Sequence, residues 1–313
     1  MNSTIVQETV YWKGAPRRVE GVQVGDQIFV TSGGFLRTAT VKNEWREDVA
    51  APEEVILALQ AASARIDLLK FWQRIPETEA KFHYYKEWRN IAAIPITNYK
   101  HWWEKQISPK ARNKVRKAQK LGVTFEKVEL DDQFVEGVVA IYNQSPVRRG
   151  KRFWHYGKDF ATVKRGLARD LEDSVFVAAH YEKSLIGFIK FNVFDRYAMV
   201  TLILDMMSLR DKAPVNGMIA KCVEICAERR IPYFAYTVWR RGDHGQFQKS
   251  NGFVKIPVPE YFVPLTAKGR FALRLGLHNG FKAALPEWAM VRLLALRSKW
   301  YSRKVLTTNL KEP

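Results

Sequence analysis

The sequence predicts an α/β (α+β) chain: one mixed sheet flanked by helices, with an N-terminal α/β region before it and a basic helical tail after it. Three observations predict this. Residues 19–50 alternate β-branched and aromatic residues with polar ones between glycine turns, as half-buried strands do. Segments such as "PEEVILALQAA" and "DDQFVEGVVAIYNQSP" repeat their apolar residues at helical spacing. Between residues 108 and 265 the elements run strand, helix, helix, three strands, helix, strand around one sheet. The chain accordingly divides into 1–107, a mixed α/β region, 108–265, the main α/β unit, and 266–313, the tail.

In chain order, the strands of 19–50 come first. Pro52 then opens a helix whose Glu53 and Glu54 suit the positive N-terminal end of the dipole and whose Val55, Ile56 and Leu59 share a face. "IDLLKFWQRI" and "NIAAIPIT" read as buried strands around an exposed "PETEAKFHYYKEW". At 108–121 Ser108 caps a helix, Pro109 suits its first turn, Gly122 closes it, and Ala111, Val115 and Ala118 form a narrow apolar stripe. "VTFEKVEL" is a strand, and the capped helix after it lines Phe134, Val138 and Ile141 on one side. A cationic, aromatic loop, "PVRRGKRFWHYGKD", leads to a helix at 160–171. Strands "SVFVAAHYE", "SLIGFIKFNVF" and "YAMVTLILDMMS", a helix at 215–229 and the strand "IPYFAYTVW" complete the unit, with no internal repeat and no low-complexity linker.

A hydrophobic content of 47% describes a packed protein, not a disordered basic tail. The 51 Lys and Arg against 32 Asp and Glu give a formal charge of +19, which favours polyanionic partners: nucleic acid, phosphorylated substrates or an anionic membrane surface. The 108–122 segment holds six of these cations and no acid, a cost of a few tenths of a kcal/mol per like-charged i,i+4 pair. That concentration singles out Arg112, Arg116 and Lys117 as candidate phosphate contacts. From Arg270 to Lys304 eight Lys or Arg and one acid interleave with Phe271, Leu275, Leu277, Trp288, Leu293, Leu296, Trp300 and Tyr301. Such a helix either packs on its own domain or lies on an anionic bilayer. Cys222 and Cys226, four apart, read as core residues, and two thiols without a disulfide framework point to a reducing, cytoplasmic setting. For the tail, packing on its own domain is the preferred reading and contact with a membrane surface the alternative. No signal peptide and no bilayer-spanning apolar run is expected.

From about Ser108 to Leu265 the order of elements and the words "SPKARNKVRKAQKLGV", "FVEGVVAIYNQSPVRRG", "KSLIGFIKF", "DKAPVNGMIAKCVEICAERRIPYF" and "FQKSNGF" resemble the GNAT acyltransferase superfamily, and more closely its FemAB-type branch of aminoacyl and peptidyl transferases. The resemblance implies transfer of an acyl or aminoacyl group from an anionic carrier, aminoacyl-tRNA or acyl-CoA, to an amine. The partner it implies is a phosphate-bearing donor or acceptor, including tRNA. No metal is implied.

In GNAT enzymes the turn into the helix at 215 cradles the carrier's pyrophosphate. Arg210, Lys212, Asn216 and Gly217 occupy that turn here, but Ala213 and Val215 replace its glycines and Pro214 removes a donor. An ordinary capped helix explains the same residues. The segment "WRRGDHGQFQKSNGF" would reach the reacting centre, bringing Trp239, Arg240 and Phe247 to the substrate. FemAB-type enzymes carry a Lys directly after this Phe. The chain has Gln248 there and Lys249 one later, about 100° around a helix. The "PVRRGKRFWHYGKD" loop borders the acceptor side of the resembling fold, so Arg149 and Arg152 are candidate substrate contacts, unless its rings simply anchor it. Asp205, His155 and Lys249 are the candidates for proton transfer. The alternative function is a non-catalytic basic module of the same fold that binds RNA or an anionic membrane surface.

Overall fold

The computed structural model describes residues 3–12, 15–148, 150–280 and 292. The chain opens with strands β1 (Ser3–Trp12), β2 (Ala15–Val24), β3 (Gln27–Ser32) and β4 (Thr38–Val41), then helix α1 (Pro52–Ala61) and strands β5 (Leu68–Trp72) and β6 (Tyr85–Pro95). β3 to β5 and α1 fall where the alternation and the Pro52 start place them, whereas β1 was not foreseen, β2 begins ahead of residue 19, and β6 begins at Tyr85, inside the segment expected to lie between strands. A short helix α2 (Tyr99–His101) runs through a π-helical turn, Trp102–Gln106, to the basic helix α3 (Pro109–Lys120). Ser108 caps α3 by accepting the Ala111 N–H at 3.2 Å, and Ala111, Val115 and Ala118 are its buried stripe. There follow β7 (Thr124–Val128), α4 (Asp132–Asn143), the two-residue strands β8 (Val147–Arg148) and β9 (Lys151–Arg152), and α5 (Phe160–Leu167), which ends four residues short of the expected 171. β10 (Ser174–Tyr181), β11 (Ser184–Val193) and β12 (Ala198–Asp205) form an antiparallel meander. α6 (Pro214–Glu228), β13 (Tyr233–Val238), α7 (Gly242–Ser250), β14 (Val254–Pro264) and α8 (Ala267–Arg274) complete the described chain. The expected tail begins with α8, while Trp288, Leu293, Leu296, Trp300 and Tyr301 lie outside the described residues.

Among the described residues twelve strands join one sheet in the order β1-β2-β3-β4-β5-β14-β6-β13-β12-β11-β10-β7. A strand, a crossover helix and a parallel neighbour occur twice, as β4–α1–β5 and as β12–α6–β13. The first parallel pair bonds at three positions, Thr38 to Thr40 against Leu68 to Lys70, and the second at two. β14 lies between β5 and β6 despite Pro257, Pro259 and Pro264. Pro259 O accepts the Gln73 N–H at 3.0 Å, so this residue and Pro257 turn their peptide groups toward β5, which pairs with β14 only from Glu260 onward. Their missing N–H groups therefore cost few ladder bonds.

Helices α3 and α6 pack on one side of the second half of the sheet, in a core with Val115, Val177, Ile189, Ile219 and Cys222. Helices α4 and α5 pack on the other through Val135, Val138, Val163 and Leu167 against Phe176 and Phe188. β11 is covered on both faces, which explains its near-continuous apolar run. Cys222 and Cys226 are buried core thiols, and burial pushes Cys226 up to about 12.

Candidate functional site

As parallel neighbours, β12 and β13 meet only at Ala198 with Phe234 and Met199 with Ala235. Beyond those pairs the strands part, leaving backbone groups without ladder partners and a gap in the sheet. The backbone of β13 is irregular at the same point. Thr237 takes a left-handed φ of 54°, and the register to β6 shifts between Ala235 and Val238. A cleft of about 1160 Å³ opens there.

One wall is the end of β12, Ile203 to Asp205, and the turn after it. Arg210 donates to the Asp205 carboxylate from Nε at 2.8 Å and Nη2 at 3.2 Å, and this hydrogen bonding raises the Arg210 pKa. The turn is braced from β8 and the end of α4: Arg148 donates to Asp205 O and Ile141 O, both at 3.0 Å, while Gln144 accepts the Met207 N–H at 2.6 Å and donates to Ser208 Oγ at 2.7 Å. Ala213 is left-handed, φ 55°, and Pro214 takes the first position of α6, whose N-terminus no side chain caps. The other walls are Tyr236, Asp243, His244 and Phe247 from β13 and α7, and Lys114 and Lys117 from α3. Among the described residues five Lys or Arg against three Asp line the cleft, so its field favours an anion.

The structure thus brings Asp205, Arg210, Asn216, Phe247 and Lys117 into one place. Other candidates stand elsewhere. Asn216 is also structural, donating from Nδ2 to Asn251 Oδ1 at 2.9 Å. Gly217 serves packing, because a Cβ there would sit 2.0 Å from the Phe125 ring. Lys212 lies over the Tyr181 ring at 4.7 Å, and Trp239 lies under Lys255 at 5.4 Å. Arg240 is exposed, with its N–H held by Gln248 Oε1 at 2.9 Å. Gln248 is fully buried, and Lys249, one residue round the helix, is exposed and outside the cleft wall. His155 lines a different cavity, where burial first and then Lys158 and Arg148 lower its pKa to about 3. Arg112 and Arg116 stand beside the cleft rather than in it, with Arg116 over Trp103 at 5.7 Å. Arg152 is exposed on β9, and Arg149 lies outside the described residues.

Sequence reasoning did not single out Lys114 as the partner of Lys117, nor Arg148, Tyr236, Asp243 and His244. The i,i+3 spacing of Lys114 and Lys117 was the available signal for the first. Nothing local distinguishes the others.

No family model and no curated protein matches this chain. Solved structures do. The C-terminal domain of a protein assigned as a lysylphosphatidylglycerol synthetase from Agrobacterium fabrum is 14% identical, with 86% of each chain covered and a TM-score of 0.57. FemX is 11% identical over 88% of this chain and 90% of its own, at 0.54. The chain has the FemAB-type GNAT fold. The L-PGS of Bacillus licheniformis shares this FemAB-type fold at 13% identity, covering 76% of this chain and 81% of its own, with a TM-score of 0.52. At such identities the likeness concerns the fold alone, and the chemistry rests on the cleft.

Proposed function

We propose that the protein is an acyl- or aminoacyl-transferase that holds the anionic carrier of its donor in the cleft between β12 and β13 and passes the acyl group to an amine there. The observation that carries this reading is the parting of the two strands beside an uncapped helix N-terminus, Arg210 and two α3 lysines. The fold shared with FemX and L-PGS agrees with it.

The reaction needs a neutral amine to attack an ester or thioester carbonyl. A base takes the amine proton, donors stabilise the tetrahedral oxyanion, and the carrier leaves with the electron pair. Arg210, Lys114 and Lys117 hold the carrier's phosphates. Asp205 acts as the anchor of Arg210, since both its oxygens are engaged by that guanidinium. His244, in the cleft wall, is better placed than His155 to accept the proton.

A second reading, a basic module that binds RNA without turnover, is favoured by Gln248, which fills the FemAB-type lysine position as a buried strut. Both readings are tested by incubating the protein with labelled aminoacyl-tRNA or acyl-CoA and a panel of amines. The expected result is label moved from aminoacyl-tRNA, reduced at least tenfold in Arg210→Ala. CoA alone should give no saturable thermal shift, although a ligand at a hundredfold excess over its Kd stabilises by about 2.7 kcal/mol. Pro214 and the missing glycines weaken its cradle. Binding of tRNA with no transfer from either donor would select the second reading.

A further inference from the structure

A second cavity, of about 250 Å³, lies against α5 and shares no lining residue with the cleft. Phe153 lines the cleft, whereas Trp154 and His155, next in the chain, line the cavity. Among the described residues three cations face it, Lys158, Arg169 and Lys190, against the single carboxylate of Asp170. Lys190 is buried in β11 and donates to Leu167 O at 2.8 Å and to Arg169 O, at the carbonyl end of α5. That engages two of its three protons. Lys158 rests on the Trp154 ring and Arg169 on the Tyr11 ring, at 4.7 and 4.0 Å.

Two further observations point to a ligand. His155 is 6% exposed, and its Nδ1 has no hydrogen-bond partner among the described residues. A buried polar atom left this way costs free energy unless something fills the space beside it. Thr201 is the extra residue of a β-bulge, since Lys190 pairs with Leu202 and Phe191 with Val200. Bulges re-aim side chains beside sites, and Thr201 is exposed at the cavity, where its hydroxyl donates to Lys190 O at 3.2 Å and would exchange that bond for one to a ligand. The basic groups also disfavour one another's charge. Burial first, then Lys158 and Arg148, lowers His155, and burial, then Arg169, lowers Lys158. A bound anion would reverse that repulsion.

At about 30 Å³ per water, the space admits a group of several heavy atoms. The donors come from a loop, a helix end and two strands, so they are not coplanar. A planar carboxylate would leave some of them unmet. We propose that this cavity is a binding site for a tetrahedral oxyanion, phosphate or the head of a phosphomonoester, held by Lys158, Arg169, Lys190, Thr201 and His155. The proposal stands apart from the transferase reading, because no residue of the cleft takes part.

The test is calorimetric titration of the full chain with inorganic phosphate, glycerol 3-phosphate and malonate at fixed ionic strength in sodium chloride. Saturable phosphate binding is expected in the Arg210→Ala background, which removes the cleft's own phosphate contact, and binding at least tenfold weaker when Lys158→Gln/Arg169→Gln is added. Gly166→Leu guards against a variant that fails for loss of charge alone. Gly166 lines the cavity and its Cβ would meet nothing within 4 Å, so a leucine fills the space with every cation in place. It should abolish binding, with circular dichroism as the folding control. Tighter glycerol 3-phosphate than phosphate would support the phosphomonoester source, and the reverse the free ion. Full affinity in Gly166→Leu, no saturable binding in the Arg210→Ala background, or malonate tighter than both phosphates would overturn the proposal.

Discussion

Gln248 spends all its polar groups on the backbone around β13: Oε1 accepts the Arg240 N–H at 2.9 Å, and Nε2 donates to Tyr236 O at 3.3 Å and Val238 O at 3.4 Å. A lysine has no acceptor for Arg240 and would bury an ammonium group. Gln248→Lys should therefore destabilise the fold by about 3 kcal/mol, read as a lower urea midpoint, without improving transfer. His155 carries a second prediction. Its folded pKa, about 3, lies below the ordinary value of 6.5, so beneath pH 6.5 the unfolded chain takes up a proton that the folded protein refuses. Stability is then full above pH 6.5 and falls as pH drops toward 3, by up to about 1.4 kcal/mol per unit. Asp48 and Glu87, whose pKa values are lowered, lose their contributions with the same sign, but only below their ordinary values of 3.8 and 4.5. Burial raises Glu44 above its ordinary 4.5, which opposes this slope, so between pH 6.5 and 4.5 the His155 contribution is the part of the urea-midpoint slope in phosphate-free buffer that is lost in His155→Phe. The same slope in wild type and His155→Phe would mean a charged His155 in the fold.

Helix α3 presents two different cationic edges. Lys114 and Lys117 line the cleft, whereas Arg112 and Arg116 stand to its side and Arg116 covers Trp103. A short anionic ligand in the cleft reaches only the lysines. A polynucleotide crossing the helix meets all four. Lys114→Gln/Lys117→Gln should weaken any cleft ligand and lower the log–log salt slope for single-stranded RNA by roughly 1.4, at about 0.7 per phosphate. Arg112→Gln/Arg116→Gln should weaken RNA alone. Both pairs avoid the buried Ala111, Val115 and Ala118, so circular dichroism should be unchanged. Equal salt slopes in all three proteins would make this face plain solvated surface.

Over the whole molecule, strands from both ends of the chain interleave. β14 pairs with β5 and β6, and β6 also pairs with β13. An ion network around the buried Arg74 adds to the join. Arg74, 4% exposed, donates to Asp48 from Nε at 3.0 Å and to Asp195 from Nη1 at 2.8 Å, and Arg196 pairs with Asp48 and Glu77. A fragment of residues 108–280 would strip β14 of both neighbours and β13 of one, exposing apolar strand edges. It should be insoluble or lack dispersed amide resonances, while the full chain should unfold in one urea transition. A soluble, cooperatively folding fragment would show that the sheet merely bridges two independent units.

Local chemistry was enough for much of this protein. The Ser108 cap and Pro109 start of α3, the periodicity of α1 and α4, the meander of β10 to β12 and the buried cysteine pair are all readable because caps, periods and turns act over a few residues. The order of those elements with their motif words was enough for the FemAB-type fold, which the solved structures share. The placement of β14 was not legible, since its prolines argue against a central strand until the end of β5 is known. Nor were the roles of Gln248 and Lys249, the choice of Lys114 over Arg112 and Arg116 at the cleft, or the separation of His155 from Arg210. Each depends on which residues far apart in sequence come to share a wall, and that is decided by strand register and by where two parallel strands part.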